Sequence, residues 1–339
     1  MSGAYDALLV VSFGGPEGMD DVMPFLENVL RGRNVPRERM LAVAKHYEKF
    51  GGISPINGQN RKLIAALGKE LQTNGPNLPI YFGNRNWHPL LADTLRQMRD
   101  DGIKHALAFV TSAYSSYSSC RQYLHDIERA RLEVGVDAPT VEKLRPFFNH
   151  PGFIEANVAH IRAALEKIPE ERRAQTQLVF TAHSIPESMA TNCDYASQLN
   201  ETARLIAGEL GMPNWRLVYQ SRSGSPSQPW LGPDVCEYLR ELHVGDNVVI
   251  APIGFVSDHM EIVYDLDTEA ATLCRELGLN MVRAATAGTH PSFVAMVREL
   301  ILERVDPNTP RRALGTFGVR ADTCPADCCA LTSSPVGRG

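Results

Sequence analysis

Three features of the sequence predict an α/β chain made of two similar halves, each a parallel sheet flanked by helices, with a cleft between them. The first is a set of short apolar runs that end in turn or polar residues. They are ALLVVSFGG (7–15), LPIYFGNR (78–85), HALAFVTSAY (105–114), QLVFTAHSIP (177–186), WRLVYQS (215–221) and NVVIAPIGF (247–255). Runs apolar on both faces read as strands covered on both sides, the situation of a parallel sheet. The second is helical periodicity between them, at 60–72, 88–102, 152–168 and 195–211. The third is a faint internal repeat. LLVVSFGGPEGM (8–19) resembles LVFTAHSIPESM (178–189), each a strand followed by a small-residue loop with a Pro and a Glu.

The halves meet near 145–152, marked by HPGF (150–153), so the expected domains are 1–150 and 151–312 with a tail at 313–339. Each half is expected to hold a sheet of four strands or slightly more. Ligands of open parallel sheets sit beyond the carboxyl ends of the strands. Those ends carry Phe13, Arg85, Tyr114, His183, Gln220 and the segment after Ile253.

Composition narrows the class. The chain has 339 residues, 44% hydrophobic and 22% charged, which is ordinary for a globular protein. A net charge of -5 gives no reason to expect a nucleic acid partner. The N-terminal apolar run is short and lacks a basic flank, so no signal peptide is expected. No run approaches the ~18 apolar residues of a membrane span. A cytoplasmic protein is therefore expected. Seven cysteines, an odd number in a long chain, argue against a disulfide framework.

Four segments carry candidate chemistry. In TAHSIP (181–186), His183 follows an apolar strand, where an imidazole can accept protons near neutral pH. In SDHMEIVYDLDTEA (257–270), Asp258, Glu261, Asp265 and Glu269 recur at helical spacing with His259 at the start. Oxygen ligands in such a stripe suit the path of a hydrated divalent cation, although a solvated helix face gives the same pattern. The loops SFGGPE (12–17), LRGRNVP (30–36) and HYEKFGGISPI (46–56) offer Arg31, Arg33, Tyr47 and Ser54 as contacts for ligand carboxylates. No phosphate-binding glycine motif is present, which excludes a nucleotide site. Finally, YQSRSGSPSQPWLGPDV (219–235) reads as a long functional loop.

Together these segments resemble the ferrochelatases along nearly the whole chain. The matching pieces are GGPE (14–17), GGISPI (51–56), GNRNWHP (83–89), TAHSIP, QSRSG, PWLGPD and PIGFVSDHMEIVYDLD (252–267), in the family's order. The resemblance implies two Rossmann-like domains with a porphyrin cleft between them, and insertion of ferrous iron as a step of haem synthesis. It makes His183 and Glu261 the catalytic pair and iron ligands, facing each other across the macrocycle. Asp258, His259, Asp265 and Glu269 fall on the acidic helix as a candidate metal path. Phe13 falls on a macrocycle-contacting position, Arg85 near the inner site, and Trp230 in the PWLGP loop. Phe13 lacks the hydroxyl by which a tyrosine there can touch the metal. Coproporphyrin III is favoured over protoporphyrin IX, since its four carboxylates suit Arg31, Arg33, Tyr47, Ser54 and Tyr117.

The tail TCPADCCALTSS (323–334) places three cysteines within six residues, a density that suggests a soft-metal site. The resemblance supplies Cys120 as a distant fourth ligand. A [2Fe–2S] cluster is expected on Cys120, Cys324, Cys328 and Cys329, with zinc or free thiols as the rivals. Cys193, Cys236 and Cys274 read as buried small apolar residues. The other functional readings are a chelatase for another metal and tetrapyrrole, and a porphyrin or haem carrier without catalysis. Peripheral membrane contact through Pro24–Leu30 and contact with haem-pathway enzymes are compatible with the sequence.

Overall fold

A computed structural model of the protein describes residues 5–32, 35–224, 227–325 and 327–330. Strands β1 (Ala7–Ser12), β2 (Ile80–Asn84), β3 (His105–Val110) and β4 (Thr140–Lys143) form a parallel sheet in the order β2-β1-β3-β4. Strands β5 (Gln177–His183), β6 (Trp215–Gln220), β7 (Asn247–Ala251) and β8 (Asn280–Arg283) form a second, in the order β6-β5-β7-β8. Counted from the start of each half, the two orders are the same. The repeat at 8–19 and 178–189 is thus β1 and β5 with the loops that follow them.

The apolar runs of β1, β3, β5 and β7 form central strands with both faces covered, whereas those of β2 and β6 lie at sheet edges. Alternate residues of β1 go to different cores: Leu8 and Val10 join one cluster, and Ala7, Leu9 and Val11 another. Strands β4 and β8 are additions to the expected set. Each has four residues at a sheet edge and no fully buried position, so neither leaves an apolar run to read.

The largest core runs continuously beneath both sheets, from Leu8 and Phe109 to Phe180 and Val249. A knot of rings lies at the joint, with Phe147 5.6 Å from Phe153 and 5.9 Å from Phe293 between centroids. Truncating such a buried ring costs about 3–5 kcal/mol. The HPGF segment opens the helix Pro151–Leu165, where His150 Nδ1 accepts from the Gly152 amide. Helix Pro291–Val305 packs on this helix and also reaches back onto Ile56–Asn74 of the first half.

The described part of the tail is docked across the joint. Arg145 and Glu303 form an ion pair only 1% exposed on each side, and Arg145 also donates to the Arg312 carbonyl. Asn149 donates to the carbonyls of Leu314 and Gly318, while Glu201 accepts from the Thr316 amide. Arg121 then holds the carbonyls of Pro325 and Cys328. Among the described residues no helix is long and apolar enough to cross a membrane. The segment Pro24–Leu30 does not offer an apolar lip through its largest residues, because Phe25 and Leu26 turn inward. The exposed large apolar side chains on the neighbouring elements are Met19, Leu41, Val43 and Ile53.

Candidate active site

In both sheets the chain leaves the first strand toward one neighbour and then crosses to the other. A crevice therefore opens at the carboxyl ends between β1 and β3 and between β5 and β7. His183 is the last residue of β5. Its Nδ1 donates to the Ser184 carbonyl at 2.5 Å, which leaves Nε2 for the cleft. Tyr195 donates its hydroxyl to the His183 carbonyl at 2.9 Å and pins the strand end.

Glu261 lies in the first turn of the helix Met260–Tyr264, which follows β7 through a short turn. His259 caps that helix, its Nδ1 accepting from the Glu261 amide at 3.2 Å. Gln220, at the end of β6, donates to the Glu261 carbonyl at 2.9 Å. Two elements thus hold Glu261 with an oxygen 3.5 Å from His183 Nε2, and its second oxygen is 3.7 Å from His259 Nδ1.

The contact couples the charges. Burial disfavours the imidazolium of His183, but the Glu261 carboxylate outweighs it and the net pKa is raised. Burial likewise opposes the Glu261 charge, yet His183 and His259 hold that carboxyl down at about 2. His259 goes the other way: burial lowers its pKa, matching an Nδ1 that serves as acceptor. One turn further on, Asp265 is pushed up to about 7, first by burial and then by the Glu261 charge, against a hydrogen bond from Ser221.

The helix does not continue as a plain α-helix. Residues Asp265–Ala270 form a π-turn before the α-helix resumes at Ala271–Glu276. An α-turn advances a side chain by about 100° per residue and a π-turn by roughly 80°. Residues four apart drift forward by about 40° in the first and back by roughly 40° in the second, so the π-turn lines Glu261, Asp265 and Glu269 into one row. At the outer end burial raises the Tyr264 pKa, with the charges of Glu269 and Asp265 adding to the effect. His46 of the first half stacks flat on the Tyr264 ring, 3.7 Å between centroids, and Lys49 lies 5.1 Å above it.

The first half contributes an apolar wall. Phe13 packs on Phe25, which also touches Tyr47 and Trp87, and Met260 and Tyr264 of the second half join the same cluster. Arg85 lies behind Phe13, 5.6 Å from its ring and 4.5 Å over Tyr123, with its charge already paired to Asp126.

Several expected site residues are placed differently from the sequence reading. His183 and Glu261 do not face each other across a macrocycle. They belong to the same half and touch, leaving no gap for a ring roughly 3.4 Å thick. Asp258 is not on the acidic stripe. It precedes the capping residue, so it lies outside the helix, and its carboxylate is bound to Arg283 and the Thr286 hydroxyl beside an open cavity of about 340 Å³. Ser54 is buried against Gly15, and Tyr47 is 8% exposed with burial raising its pKa. Arg31 is exposed and donates to Asn28, and Tyr117 begins a π-turn beside His125. Arg33 lies outside the described residues. Trp230 packs on Gly224, and its buried Nε1 has no hydrogen-bond partner among the described residues. Sequence reasoning did not single out Tyr195, Ser221 or His46. Ser221 and His46 lay inside quoted motifs, whereas Tyr195 sits in an ordinary amphipathic helix and gave no signal.

The tail thiols gather near Cys120. Cys328 and Cys329 have their sulfurs 3.6 Å apart, and Cys324 feels the Cys328 thiol. Burial raises the Cys329 pKa, with Cys328, Cys193 and Cys120 adding to the effect. Cys193, expected to be a plain apolar residue, therefore belongs to this neighbourhood. Among the described residues no group of three or more His, Cys, Asp or Glu side chains converges closely enough to hold a metal ion. The four expected ligands do not form a closed set.

Comparison with known proteins gives a consistent picture. The ferrochelatase family model matches residues 5–305. A ferrochelatase of Rhodopirellula baltica is 60% identical over 97% of this chain and 94% of its own. A coproporphyrin III ferrochelatase of Nocardia farcinica is 50% identical over 99% of each chain. Among solved structures, SirB from Bacillus subtilis with Fe3+ aligns with a TM-score of 0.54 at 13% identity, covering 89% of this chain and 98% of that one. CbiX, the terminal enzyme of sirohaem biosynthesis in denitrifying bacteria, aligns at 0.51 and 15% identity over 88% and 98%. At such identities the structural likeness speaks for the chelatase-like fold alone.

Proposed function

The chain belongs to the ferrochelatase family, and from that premise we propose that it inserts Fe2+ into coproporphyrin III in preference to protoporphyrin IX. The reaction forms metal–nitrogen bonds and releases two pyrrole protons in haem biosynthesis. The observation that carries the chemistry is the His183–Glu261 contact, a proton acceptor held against a carboxylate at the mouth of the cleft.

Two protons must leave the porphyrin as the metal enters; the metalated core is neutral, so the protons are the charge that needs an acceptor. His183 accepts pyrrole protons through Nε2, its orientation fixed by the Nδ1–H bond to Ser184. Glu261 stabilises the imidazolium so formed, and it draws the cation inward from the row of Asp265 and Glu269. The macrocycle rests on the Phe13 wall, where ring-on-ring contact supplies binding energy that can bend it and tilt the nitrogen lone pairs out of plane. Trp230, whose buried Nε1 has no hydrogen-bond partner among the described residues, is assigned a further ligand contact.

The coproporphyrin preference is supported by the Nocardia relative and by Arg31 and Tyr117, which are open to a ligand carboxylate. We also propose a [2Fe–2S] cluster on Cys120, Cys324, Cys328 and Cys329. The 3.6 Å between the Cys328 and Cys329 sulfurs approaches the separation of two thiolates on one metal. That separation is about 3.8 Å for tetrahedral bonds of about 2.3 Å. Loss of visible cluster bands in Cys324→Ser is the expected signature, and a colourless wild-type protein would refute it. The division into 1–150, 151–312 and the tail, and a cytoplasmic location, belong to the same proposal.

The function is tested by anaerobic turnover with Fe2+ and each porphyrin in parallel. Coproporphyrin III is expected to give kcat/KM about tenfold higher, a difference of about 1.4 kcal/mol. Preference for protoporphyrin IX would overturn the substrate assignment. Tight porphyrin binding without metalation of either would favour a carrier.

A further inference from the structure

We propose that Ser221 is a positioning residue for iron delivery, its hydroxyl fixing the Asp265 carboxylate so that the acidic row presents one free oxygen just outside Glu261. The inference rests on the reading of that row as the iron route. Ser221 has φ +62°, and among the described residues only Cys329 shares a positive φ without being glycine. A side chain in that conformation costs about 1 kcal/mol or more, which glycine would avoid. Strain of this kind persists where the side chain does something the backbone alone cannot.

Here the side chain donates to Asp265 Oδ2 at 2.5 Å, from the end of β6 to the first residue of the π-turn. The preceding residue, Gln220, holds the Glu261 carbonyl. Two consecutive residues of one strand end therefore grip the acidic helix at points four residues apart. Gln220 fixes the helix itself, and Ser221 fixes the next carboxylate along it. With Oδ2 taken by the hydroxyl, the other oxygen of Asp265 is the one left for an incoming cation. A carboxylate bound this way cannot rotate both oxygens toward one ion, which favours passing the metal inward over trapping it.

Ser221→Ala keeps the strain and loses the hydroxyl, while Ser221→Gly loses both. Each variant is compared with wild type in KM for Fe2+, KM for coproporphyrin III, Tm, and Zn2+ affinity by calorimetry without porphyrin. Both variants should raise the Fe2+ KM and the Zn2+ Kd about tenfold, the scale of a hydrogen bond to a charged group. Porphyrin KM should not move, and Tm should fall by a few degrees in Ser221→Ala and by less in Ser221→Gly, which sheds the backbone strain. Wild-type Fe2+ KM and Zn2+ affinity in Ser221→Gly would reduce Ser221 to a turn residue. So would iron and porphyrin KM rising together. A wild-type protein that binds Zn2+ but inserts no iron would defeat the ferrochelatase reading, while the Zn2+ comparison would still decide the role of Ser221.

Discussion

At the end of β1 the first half places Phe13, 6.3 Å from Phe25 between ring centroids, with Arg85 behind it already paired to Asp126. At the equivalent end of β5 the second half places His183, 3.5 Å from a carboxylate. The two sheets have one strand order, and the same position in each faces the cleft. One copy has become an apolar wall with its charge neutralised. The other keeps an imidazole and a carboxylate in contact. Fold and chemistry have thus separated, because a strand end fixes where a side chain sits but not what it is.

That contrast can be broken at several points. Glu261→Gln should have the largest effect, lowering kcat by about 10²–10³. It should also move the pH profile. In wild type the Glu261 charge raises the His183 pKa, so the rate should climb as pH rises through that raised value. Without the anion, burial dominates, the His183 pKa falls, and the rising limb shifts to lower pH. An unshifted limb in kcat/KM would show that His183 is not the proton acceptor.

Phe13→Ala attacks the other half. Losing the ring should weaken porphyrin binding about tenfold or more, read by fluorescence quenching, while the Fe2+ KM stays put. An iron defect without a porphyrin defect would reverse the division of labour. Asp265→Asn should raise the Fe2+ KM about fivefold at pH 8 and much less at pH 6. The sign follows from a carboxyl pushed up to about 7, which is mostly protonated, and so a poor cation ligand, below that pH. Equal defects at both values would contradict it. Asp258→Asn should be the mildest for turnover, within about twofold, while lowering stability by about 1–3 kcal/mol through the Arg283 pair. Thermal unfolding beside iron kinetics separates the two.

The sequence carried the central strands because apolar runs such as LLVV and LVFTA are covered on both faces, and it singled out His183 at a strand end and Glu261 in the acidic segment that follows β7. Other features needed three dimensions. The strand TVEK at 140–143 has no apolar run, since an edge with half-exposed side chains needs none. Asp258 fitted the helical spacing of the stripe, but spacing counts residues and cannot see that His259 caps the helix one position later. Arg283, which captures it, is 25 residues away. The π-turn that straightens the row is likewise invisible to a count of three and four. Cys193 looked like an isolated small residue until the tail was folded back beside it, held by Arg320 on Asp194.

The most direct test is a single turnover with coproporphyrin III bound in advance to wild type and to His183→Ala, mixed anaerobically with Fe2+. Both proteins should show the same porphyrin-binding spectrum. Wild type should convert it to the metalloporphyrin, and His183→Ala should be slower by about 10³ or more. Metalation at the wild-type rate in His183→Ala would contradict the assignment of the reaction to the charged end of β5.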